Sequence, residues 1–520
     1  MAEFNTKSIK KVRRKNEEAS LPAPSAPVEG AAPARVWSPQ QSAIFDWCRR
    51  GEGSLVVTAR AGTGKTTTIV EAVKALPSRS VLLCAFNKRI AEELGRRVAG
   101  AAHVYTLHGL GFRLWRRAQP NTQVDEKRGY RLAEDALKSM GVPPLREFKQ
   151  AVRSVADIAK QVNPYTKNPS DLVELGYTFG FFEGLSDSEV EKCAVAAIKA
   201  MQLAVDTKDG VIDFTDMLYL PLMRPTTRGE YDYVVVDEAQ DMNRAQLDLA
   251  LQVLKKGNTG LIVVGDDRQA IYGFRGADSN SLKRLREKMQ AVGLGLTTTY
   301  RCPKKVVAVA NTWVKDFQAA ESAPEGVVRA TTSEKLIADA QPGDFIISRT
   351  NAPLFRLCLD LVAAGKRAKV EGRDVGKMLV NIIDKLKAST TEEMLVRLDE
   401  WERRHIQLAG EDEAAAAAAM DTAEALRFLA KETNDLNGLR SLIDSMFEDS
   451  TPGVVSPRVT LMTVHKSKGL EAERVFILCD TFRGGFMSDP SSEEANLRYV
   501  AVTRAKNELV FVNPDWEVKS

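Results

Sequence analysis

The stretch Leu55-Val-Val-Thr-Ala-Arg-Ala-Gly-Thr-Gly-Lys-Thr66 joins a short apolar run to a glycine-containing loop, and the helical pattern TTIVEAVKAL follows it. Gly62 and Gly64 allow the backbone N–H groups to turn inward around phosphate oxygens. Lys65 supplies a point charge for the β- and γ-phosphates, and Thr66 offers a hydroxyl to Mg²⁺. The stretch therefore predicts a nucleotide-binding loop between a buried strand and a helix.

The second half of a nucleotide site is the stretch Val234-Val-Val-Asp-Glu-Ala-Gln-Asp241. A carboxylate at the end of a buried strand is costly unless it meets a cation, so Asp237 is expected to hold Mg²⁺. Glu238 would then orient and deprotonate the attacking water. Ala59 departs from the pattern GxxxxGK[ST], in which a glycine is usual at this position, but the strand–loop–helix context still favours nucleotide binding.

Seven short apolar runs rich in β-branched residues recur along the chain, with helical patterns between them. They are Leu55–Thr58, Val81–Cys84, Tyr233–Val236, Leu261–Val264, Phe345–Ser348, Val475–Leu478 and Leu509–Val512. Uninterrupted apolar runs are typical of strands that are buried on both faces, so parallel sheets covered by helices are expected. The runs form two groups, at 55–264 and 345–512, which predicts an α/β fold with two parallel-sheet domains.

The composition excludes a mostly disordered, collagenous or fibrous protein, since 44% of the 520 residues are hydrophobic and 27% are charged. No run approaches the ~18 apolar residues of a membrane span. The net charge of +4 permits nucleic-acid binding without arguing for it. The six cysteines lack CxxC spacing and the basic N-terminus has no apolar segment after it. We therefore expect buried cysteines and a cytoplasmic location, at the nucleoid or in a host cell if the chain is viral.

Three segments interrupt or precede the strand-rich regions. Residues 1–35 combine a basic run with the stretch LPAPSAPVEGAAPA, and neither can bury a core, so a flexible tail is predicted. The segments at about 110–210 and 377–455 lack strand-like runs and are predicted to be helical insertions, one in each domain. Within the second, EDEAAAAAAM at 411–420 is expected to be an exposed helix or a linker.

The stretch DEAQD at 237–241, together with Val264-Gly-Asp-Asp-Arg-Gln-Ala-Ile-Tyr-Gly-Phe-Arg-Gly-Ala277, resembles superfamily 1A DNA helicases of the UvrD/Rep type. Further motifs of that family are resembled, in chain order, by Trp37–Gln41, Ala85–Lys88, Tyr105–Gly109, Thr299–Cys302, Val459–Glu471 and Leu497–Ala505. The resemblance covers about residues 36–515. The sequences FNK–IAEEL and TLHG resemble those of F-box DNA helicases and small phage-type helicases more closely than those of UvrD itself.

The resemblance implies two RecA-like domains, each carrying an insertion. The expected parts are 36–109 with 211–298 for domain 1A, 110–210 for insertion 1B, 299–376 with 456–520 for domain 2A, and 377–455 for insertion 2B. Only 157 residues lie between Arg301 and Val459, so the 2B insertion is expected to be much smaller than in UvrD/Rep. In the family this subdomain restrains unwinding, and the sequence leaves open whether the smaller insertion does so here.

The resemblance also assigns roles at the nucleotide. Gln41 would read the adenine, Tyr300 would stack on it, and Glu471 would lie near the ribose. Arg301 would contact the γ-phosphate, and Arg504 would be an arginine finger from the second domain. The predicted ATP-binding residues are Gln41, Ala61, Gly62, Thr63, Gly64, Lys65, Thr66, Thr67, Tyr300 and Glu471. The predicted catalytic residues are Asp237, Glu238, Gln269, Arg301 and Arg504, with Thr66 and Asp237 as Mg²⁺ ligands.

For DNA, the resemblance makes Phe274 the expected base-stacking aromatic, at a position where the family usually has Trp. Arg275 would contact DNA or the coupling network, and Gln269 would couple the γ-phosphate to DNA. Stacking on an aromatic face tolerates any base, which suits a motor. The alternative interpretation of Phe274 is core packing. The other predicted DNA-binding residues are Phe86, Asn87, Thr106, His108, Thr463 and His465.

These observations predict an ATP- and Mg²⁺-dependent helicase that moves 3′→5′ on single-stranded DNA and acts at junctions with duplex DNA, in replication, repair or recombination. The polarity rests on resemblance alone. A DNA-stimulated ATPase that remodels protein–DNA complexes, such as recombinase filaments, is the main alternative. The residues do not distinguish DNA from RNA. The tail is a candidate docking segment for a replication or single-strand-binding protein, and no membrane partner is expected.

Overall fold

The computed structural model describes residues 36–518, except for 79, 183, 207–209, 226–228, 256, 258–259, 272–280, 410–412, 448–456, 483 and 488–492. The predicted tail at 1–35, Phe274 and Arg275 lie outside the described residues. The chain divides into two units, Met1–Pro39 and Gln40–Ser520. Of the first unit, the structure describes only residues 36–39, and the second unit contains both of the six-stranded sheets.

A six-stranded parallel sheet forms the first half of this unit. Its strands are β1 (Leu55–Ala59), β2 (Val81–Ala85), β3 (His103–Thr106), β6 (Tyr233–Val236), β7 (Leu261–Gly265) and β8 (Val292–Leu296), in the order β3-β2-β6-β7-β1-β8. The flanking helices are α1 (Pro39–Arg50), α2 (Lys65–Ala75), α3 (Lys88–Val98), α4 (Leu107–Ala118), α9 (Asp216–Met223), α10 (Arg244–Gln252) and α11 (Ser281–Lys288). Because all strands are parallel, their carboxyl ends meet at one edge, where ligands bind in such sheets.

A second six-stranded parallel sheet follows. Its strands are β11 (Val327–Thr331), β12 (Phe345–Ser348), β13 (Ala368–Val370), β14 (Val459–Thr463), β15 (Ala472–Leu478) and β16 (Ala505–Val512), in the order β11-β16-β15-β12-β14-β13. The helices around it are α12 (Lys304–Ala310), α13 (Ser333–Asp339), α14 (Ala352–Ala363), α19 (Val464–Ser467) and α20 (Glu493–Val502). Each of its faces is covered by an apolar core. The predicted α/β fold with two parallel sheets is therefore confirmed.

Helices fill both of the stretches that lack strand-like runs. The first holds α5 (Arg128–Ser139), α6 (Arg146–Val162), α7 (Pro169–Thr178) and α8 (Asp187–Val205), and is bounded by the short pair β4 (Gln123–Val124) and β5 (Val211–Ile212). The second holds α15 (Arg373–Leu386), α16 (Thr391–Ala409), α17 (Glu413–Lys431) and α18 (Leu436–Phe447). The described part of the alanine-rich segment is the start of α17, so it is helical rather than a linker.

The crossing from the first sheet to the second is short. It runs through β9 (Thr298–Thr299), which pairs in parallel with β10 (Gln318–Ala319). The side chain of Gln40 donates to the Thr297 hydroxyl at 2.8 Å and accepts from the Thr297 N–H at 2.9 Å, which fixes the start of the crossing against α1.

All six cysteines are buried, as expected for small apolar residues. Among the helices in the described part of the chain, none has the length and apolar character that a membrane span requires.

Candidate functional site

The phosphate loop between β1 and α2 has a conformation that only glycine adopts easily. Gly62 and Gly64 have φ angles of +69° and +77°, in the left-handed region. A Cβ atom at Gly62 would lie 2.5 Å from the Arg301 Cβ, so no larger residue fits there. Lys65 is the first residue of α2. The loop thus ends at a helix N-terminus, which is suited to an anion.

Lys65 is held by the two carboxylates that follow β6. Its Nζ lies 2.5 Å from the Glu238 Oε1 and 3.9 Å from the Asp237 Oδ1. Glu238 has a φ of +54°, a strained backbone conformation for a residue with a side chain, and its N–H donates to the Asp237 Oδ1 at 2.9 Å. Strain of this kind persists where the surrounding structure enforces it, often at active sites.

Burial and charge shift the pKa values of these two carboxyls in opposite directions. Burial raises the pKa of Asp237 above its usual range, and the positive charge of Lys65 only partly offsets it. Burial would also raise the pKa of Glu238, but the charges of Lys65 and Lys468 outweigh it and hold that pKa below its usual range. Glu238 is therefore ionised near neutral pH and forms an ion pair with the Lys65 ammonium. A bound phosphate would compete with Glu238 for this ammonium.

Two further side chains flank the phosphate loop. Gln41 is buried in α1, and its Nε2 donates to the Thr68 hydroxyl at 3.0 Å on α2. Tyr300 follows β9, and its N–H donates to the Gly62 carbonyl at 2.9 Å, while its side chain remains 57% exposed. A polar amide and an open aromatic ring therefore stand beside the loop, as required for binding a planar base.

Two arginines reach the site from the second half of the chain, Arg301 between β9 and α12 and Arg504 between α20 and β16. Arg301 lies with its Nε 2.6 Å from the Glu471 Oε2. The Arg504 guanidinium donates to the carbonyls of Val500 at 2.8 Å and Leu470 at 3.1 Å. Burial, and then the charge of Arg301, lower the pKa of Arg504 to about 10, which leaves it positively charged at neutral pH.

One cleft of about 550 Å³ brings most of these groups together. Its volume lies within the usual range of ligand sites, ~300–1,000 Å³. The predicted residues that line it are Ala61, Gly62, Gly64, Lys65, Thr66, Thr67, Phe86, Asn87, Asp237, Glu238, Gln269, Arg301 and Arg504. Thr63 instead turns inward, and its hydroxyl donates to the Arg60 carbonyl at 2.9 Å. Gln41, Tyr300 and Glu471 are connected to the cleft through the contacts given above.

Lys468 joins three segments of the site, a role that the sequence analysis did not assign. Its Nζ donates to both Asp241 carboxylate oxygens, at 2.6 and 2.8 Å, and to the Gln269 carbonyl at 2.7 Å. The Gln269 Nε2 in turn donates to the Asp266 Oδ2 at 2.7 Å. The segment after β7 is thereby connected to the segments after β6 and β14. The only signal in the sequence was that Lys468 is a charged residue in the segment Val459–Glu471, where roles had been assigned to other residues.

A second cavity, of about 330 Å³, adjoins the cleft on the first sheet. Its lining includes Phe86, His108 and Phe214, and it shares Asp237 and Glu238 with the cleft. The His108 and Phe214 rings are stacked, with centroids 4.1 Å apart and an interplanar angle of 18°. Burial lowers the pKa of His108 to about 4, so this imidazole is neutral at physiological pH. The cavity thus combines the aromatic side chains of Phe86, His108 and Phe214, none of them charged, with the carboxylates that it shares with the cleft.

Phe214 was missed as a functional candidate, although its segment was visible in the sequence. Its side chain is 58% exposed between two buried carboxylates, Asp213 and Asp216. The Lys160 Nζ, from α6, lies 2.8 Å from the Asp216 Oδ1 and 3.8 Å from the Asp213 Oδ2. These ion pairs hold the segment and leave the aromatic ring outside. The signal available in the sequence was an aromatic residue flanked by two carboxylates, in Asp213-Phe-Thr-Asp216.

Other predicted DNA-binding residues have structural roles as well. The Thr106 hydroxyl accepts from the Gly109 N–H at 3.0 Å, and the Asn87 Oδ1 accepts from the Ile90 N–H at 2.9 Å. Both are N-caps, of α4 and α3 respectively, a role for which Thr and Asn are favoured. Thr463 and His465 lie at the β14–α19 junction on the second sheet, and neither lines the two cavities described here.

Two family models match the chain. The UvrD/REP helicase N-terminal domain matches residues 37–290, and the UvrD-like helicase C-terminal domain matches residues 371–513. The first match contains every strand of the first sheet except β8, and the second contains β14, β15 and β16 of the second sheet.

Curated relatives match at moderate identity. The F-box DNA helicase protein 1 of Schizosaccharomyces pombe is 26% identical over 510 residues, covering 89% of this chain and 56% of that protein. A probable DNA helicase of Mycoplasma pneumoniae is 28% identical over 292 residues, covering 50% of this chain and 52% of that protein. The ATP-dependent DNA helicase PcrA of Staphylococcus aureus is 27% identical over 319 residues, covering 55% and 41%. The chain spans about half the length of these relatives.

Proposed function

Because the chain belongs to the UvrD/REP helicase family, we propose that it is an ATP-dependent DNA helicase that translocates on single-stranded DNA. The observation that carries this proposal is that Asp237 and Glu238 line both the cleft and the aromatic cavity. One pair of carboxylates can therefore respond to a nucleotide on one side and to a DNA base on the other. We assign the first domain to 36–109 with 211–298 and the second to 299–376 with 456–520, and 110–210 and 377–455 are their insertions.

The residues present fit a nucleotide with Mg²⁺. Thr66 and Asp237 offer the hard oxygen ligands that Mg²⁺ prefers, and the Gly62 backbone leaves no room for a side chain in the phosphate cradle. When bound, the ion would neutralise charge on the β- and γ-phosphates. Lys65 would exchange the Glu238 carboxylate for phosphate oxygens, which frees Glu238 to orient and deprotonate water.

The second domain supplies the remaining charge. A γ-phosphoryl transition state spreads negative charge over three oxygens, and the planar guanidinium groups of Arg301 and Arg504 suit such oxygen pairs. These arginines and Lys65 belong to different domains, so nucleotide binding favours one relative orientation and hydrolysis releases it. Gln41, Tyr300 and Glu471 would hold the adenosine. Gln269 would contact the γ-phosphate and couple its presence to DNA binding.

On the DNA side, we assign base contacts to the aromatic surface of Phe86, His108 and Phe214. Its neutral character suits stacking, which accepts any base. Asn87, Thr106, Thr463, His465, Phe274 and Arg275 complete the proposed path. We also assign 3′→5′ movement, action at single-strand/duplex junctions, and a role in replication, repair or recombination, on family resemblance. The tail at 1–35 is the proposed docking segment for a replication or single-strand-binding protein.

The decisive experiment measures DNA-stimulated ATP hydrolysis and strand separation on 3′-tailed, 5′-tailed and blunt duplexes. We expect unwinding of the 3′-tailed substrate and none of the other two. Unwinding of the 5′-tailed substrate alone would reverse the polarity. Hydrolysis without strand separation, combined with clearance of a recombinase filament, would instead establish the remodelling ATPase.

Replacing Phe214 with Ala should weaken single-stranded DNA binding about 5- to 150-fold, the range that corresponds to ~1–3 kcal/mol of stacking at one base. DNA-free ATP hydrolysis should stay at the parent level because Phe214 does not line the nucleotide cleft. Fluorescence anisotropy with a labelled oligonucleotide measures the first, and a coupled ATPase assay the second. The control is Tyr177→Ala, which removes an exposed aromatic from α7. Equal DNA affinity in parent and Phe214→Ala would rule out a stacking role.

Phe274 follows Gln269 by five residues, so one short segment could touch the γ-phosphate and a base. Phe274→Ala should therefore slow translocation much more than DNA-free hydrolysis, and Phe274→Trp should preserve both. Translocation rate is measured beside ATP turnover for each variant. Unchanged translocation in Phe274→Ala would indicate that this ring packs in a core and that other aromatics grip the strand.

A further inference from the structure

Arg60, the residue before the glycines of the phosphate loop, is buried among three carboxylates. It is 8% exposed, and its guanidinium makes four hydrogen bonds. The Nε and one terminal nitrogen donate to the two oxygens of Asp316, each at 3.0 Å. The other terminal nitrogen donates to Asp266 at 2.9 Å and to Asp267 at 2.6 Å. Such a two-pronged contact with one carboxylate depends on the planar fork of arginine, which lysine lacks.

The carboxylate partners of Arg60 lie on different domains. Asp266 and Asp267 follow β7 of the first sheet. Asp316 lies between α12 and β10, and its neighbours Val314 and Phe317 are buried in a core of the second sheet. The contact of the Arg60 Nε and one terminal nitrogen with Asp316 therefore connects the first domain to the second.

The next residue of the loop is held by the second domain as well. The Ala61 N–H donates to the Tyr499 hydroxyl at 3.0 Å, and Ala61 is packed in the same apolar core as Phe317. The Phe317 and Tyr499 rings meet edge to face, with centroids 5.6 Å apart. Asp316 and Tyr499 thus belong to one packed unit, which hydrogen-bonds two consecutive residues of the phosphate loop, Arg60 and Ala61.

The other half of the loop belongs to the first domain. Gly64 caps α2, and Lys65 begins it. Arg60 is also bound to the first domain, through Asp266, Asp267 and the Leu296 carbonyl, which accepts from its N–H at 2.8 Å. A rotation of the second domain relative to the first would therefore pull Arg60 and Ala61 away from these contacts and against Gly64 and Lys65. Because packed interfaces switch between discrete arrangements rather than deforming continuously, such a displacement would change the shape of the phosphate cradle.

We propose that Arg60 is a positioning residue that fastens the phosphate loop to the second domain through Asp316, so that the orientation of that domain sets the geometry of the phosphate cradle. The inference rests on the proposed function, because it concerns ATP turnover. It assigns to Asp316 a role in hydrolysis although this residue does not line the nucleotide cleft.

The test uses the full chain and measures kcat and KM for ATP with saturating single-stranded DNA. Asp316→Asn should lower kcat about 10-fold. This is a smaller loss of rate than the ~100-fold that a 1 Å misplacement of reacting groups can cause. KM should stay within about twofold, the pattern of an interaction that acts on the transition state. Asp316→Glu keeps the carboxylate and should recover part of the loss. The matched control is Glu321→Gln, which removes an exposed carboxylate five residues away.

A double-mutant cycle separates this role from general destabilisation. Arg60→Lys should also lower kcat, and adding Asp316→Asn to it should cost little more, because both changes break the same contact. Parent-level kcat in Asp316→Asn, or fully additive losses in the double variant, would overturn the inference while leaving the proposed function intact. A parent chain without DNA-stimulated hydrolysis would refute the proposed function, and with it the role of Asp316.

Discussion

Replacing Glu238 with Gln should reduce DNA-stimulated ATP hydrolysis about 10²- to 10⁴-fold, the usual contribution of a general base. In the proposed mechanism Asp237 would still hold Mg²⁺, but an amide could not take the proton of the attacking water. ATP binding should be unchanged or tighter, because the substitution removes the carboxylate that holds the Lys65 Nζ at 2.5 Å. Lys65→Ala should differ by weakening ATP binding and turnover together.

Turnover is measured by phosphate release, and ATP and DNA binding are measured at equilibrium with fluorescent probes. Glu71→Gln is a suitable control, because Glu71 lies on the same helix α2 but pairs with Lys74 at the surface. Both variants lose one carboxylate from the first domain. Near-normal turnover in Glu238→Gln would mean that another group activates the water, and loss of ATP binding would mean that Glu238 is structural.

The sequence predicted every central strand except β14, because both faces of those strands are covered. Every residue of β2 and β7 is buried, so both appear as uninterrupted apolar runs. Strands at the sheet edges were missed. β3 at one edge of the first sheet is only partly buried, and β8 at the other has two glycines in the sequence VGLGL. An edge strand has a neighbouring strand on one edge only, and the partial burial of β3 and β8 removes the uninterrupted apolar run that identifies a central strand.

The predicted resemblance to UvrD/Rep-type and F-box DNA helicases is confirmed by the family models and the relatives. Local motifs carried that prediction. Contacts between distant segments were not predictable in the same way. Arg60 and Asp316 are 256 residues apart, and Lys468 and Asp241 are 227 apart. Only the tertiary fold pairs such residues, since each is an ordinary charged residue in its own segment.

Replacing Arg504 with Ala should lower DNA-stimulated turnover about 10³-fold or more, the scale found for arginine fingers. DNA affinity without nucleotide should barely change, because Arg504 lines the nucleotide cleft and not the aromatic cavity. Arg504 has to leave the Val500 and Leu470 carbonyls to meet a phosphate, which the charge of the transition state would favour. Phosphate release and equilibrium DNA binding measure the two expectations.

Arg504 is also a fully buried side chain, so its loss could act through folding. Arg504→Lys retains the charge without the planar fork, and it should fall between the parent and Arg504→Ala in turnover. Arg329→Ala removes a surface-paired arginine from β11 of the same domain and should leave turnover unchanged. Urea unfolding of each variant identifies any that is too unstable to interpret. A loss of DNA binding as large as the loss of hydrolysis would place Arg504 on the DNA path, and the γ-phosphate would then depend on Arg301 alone.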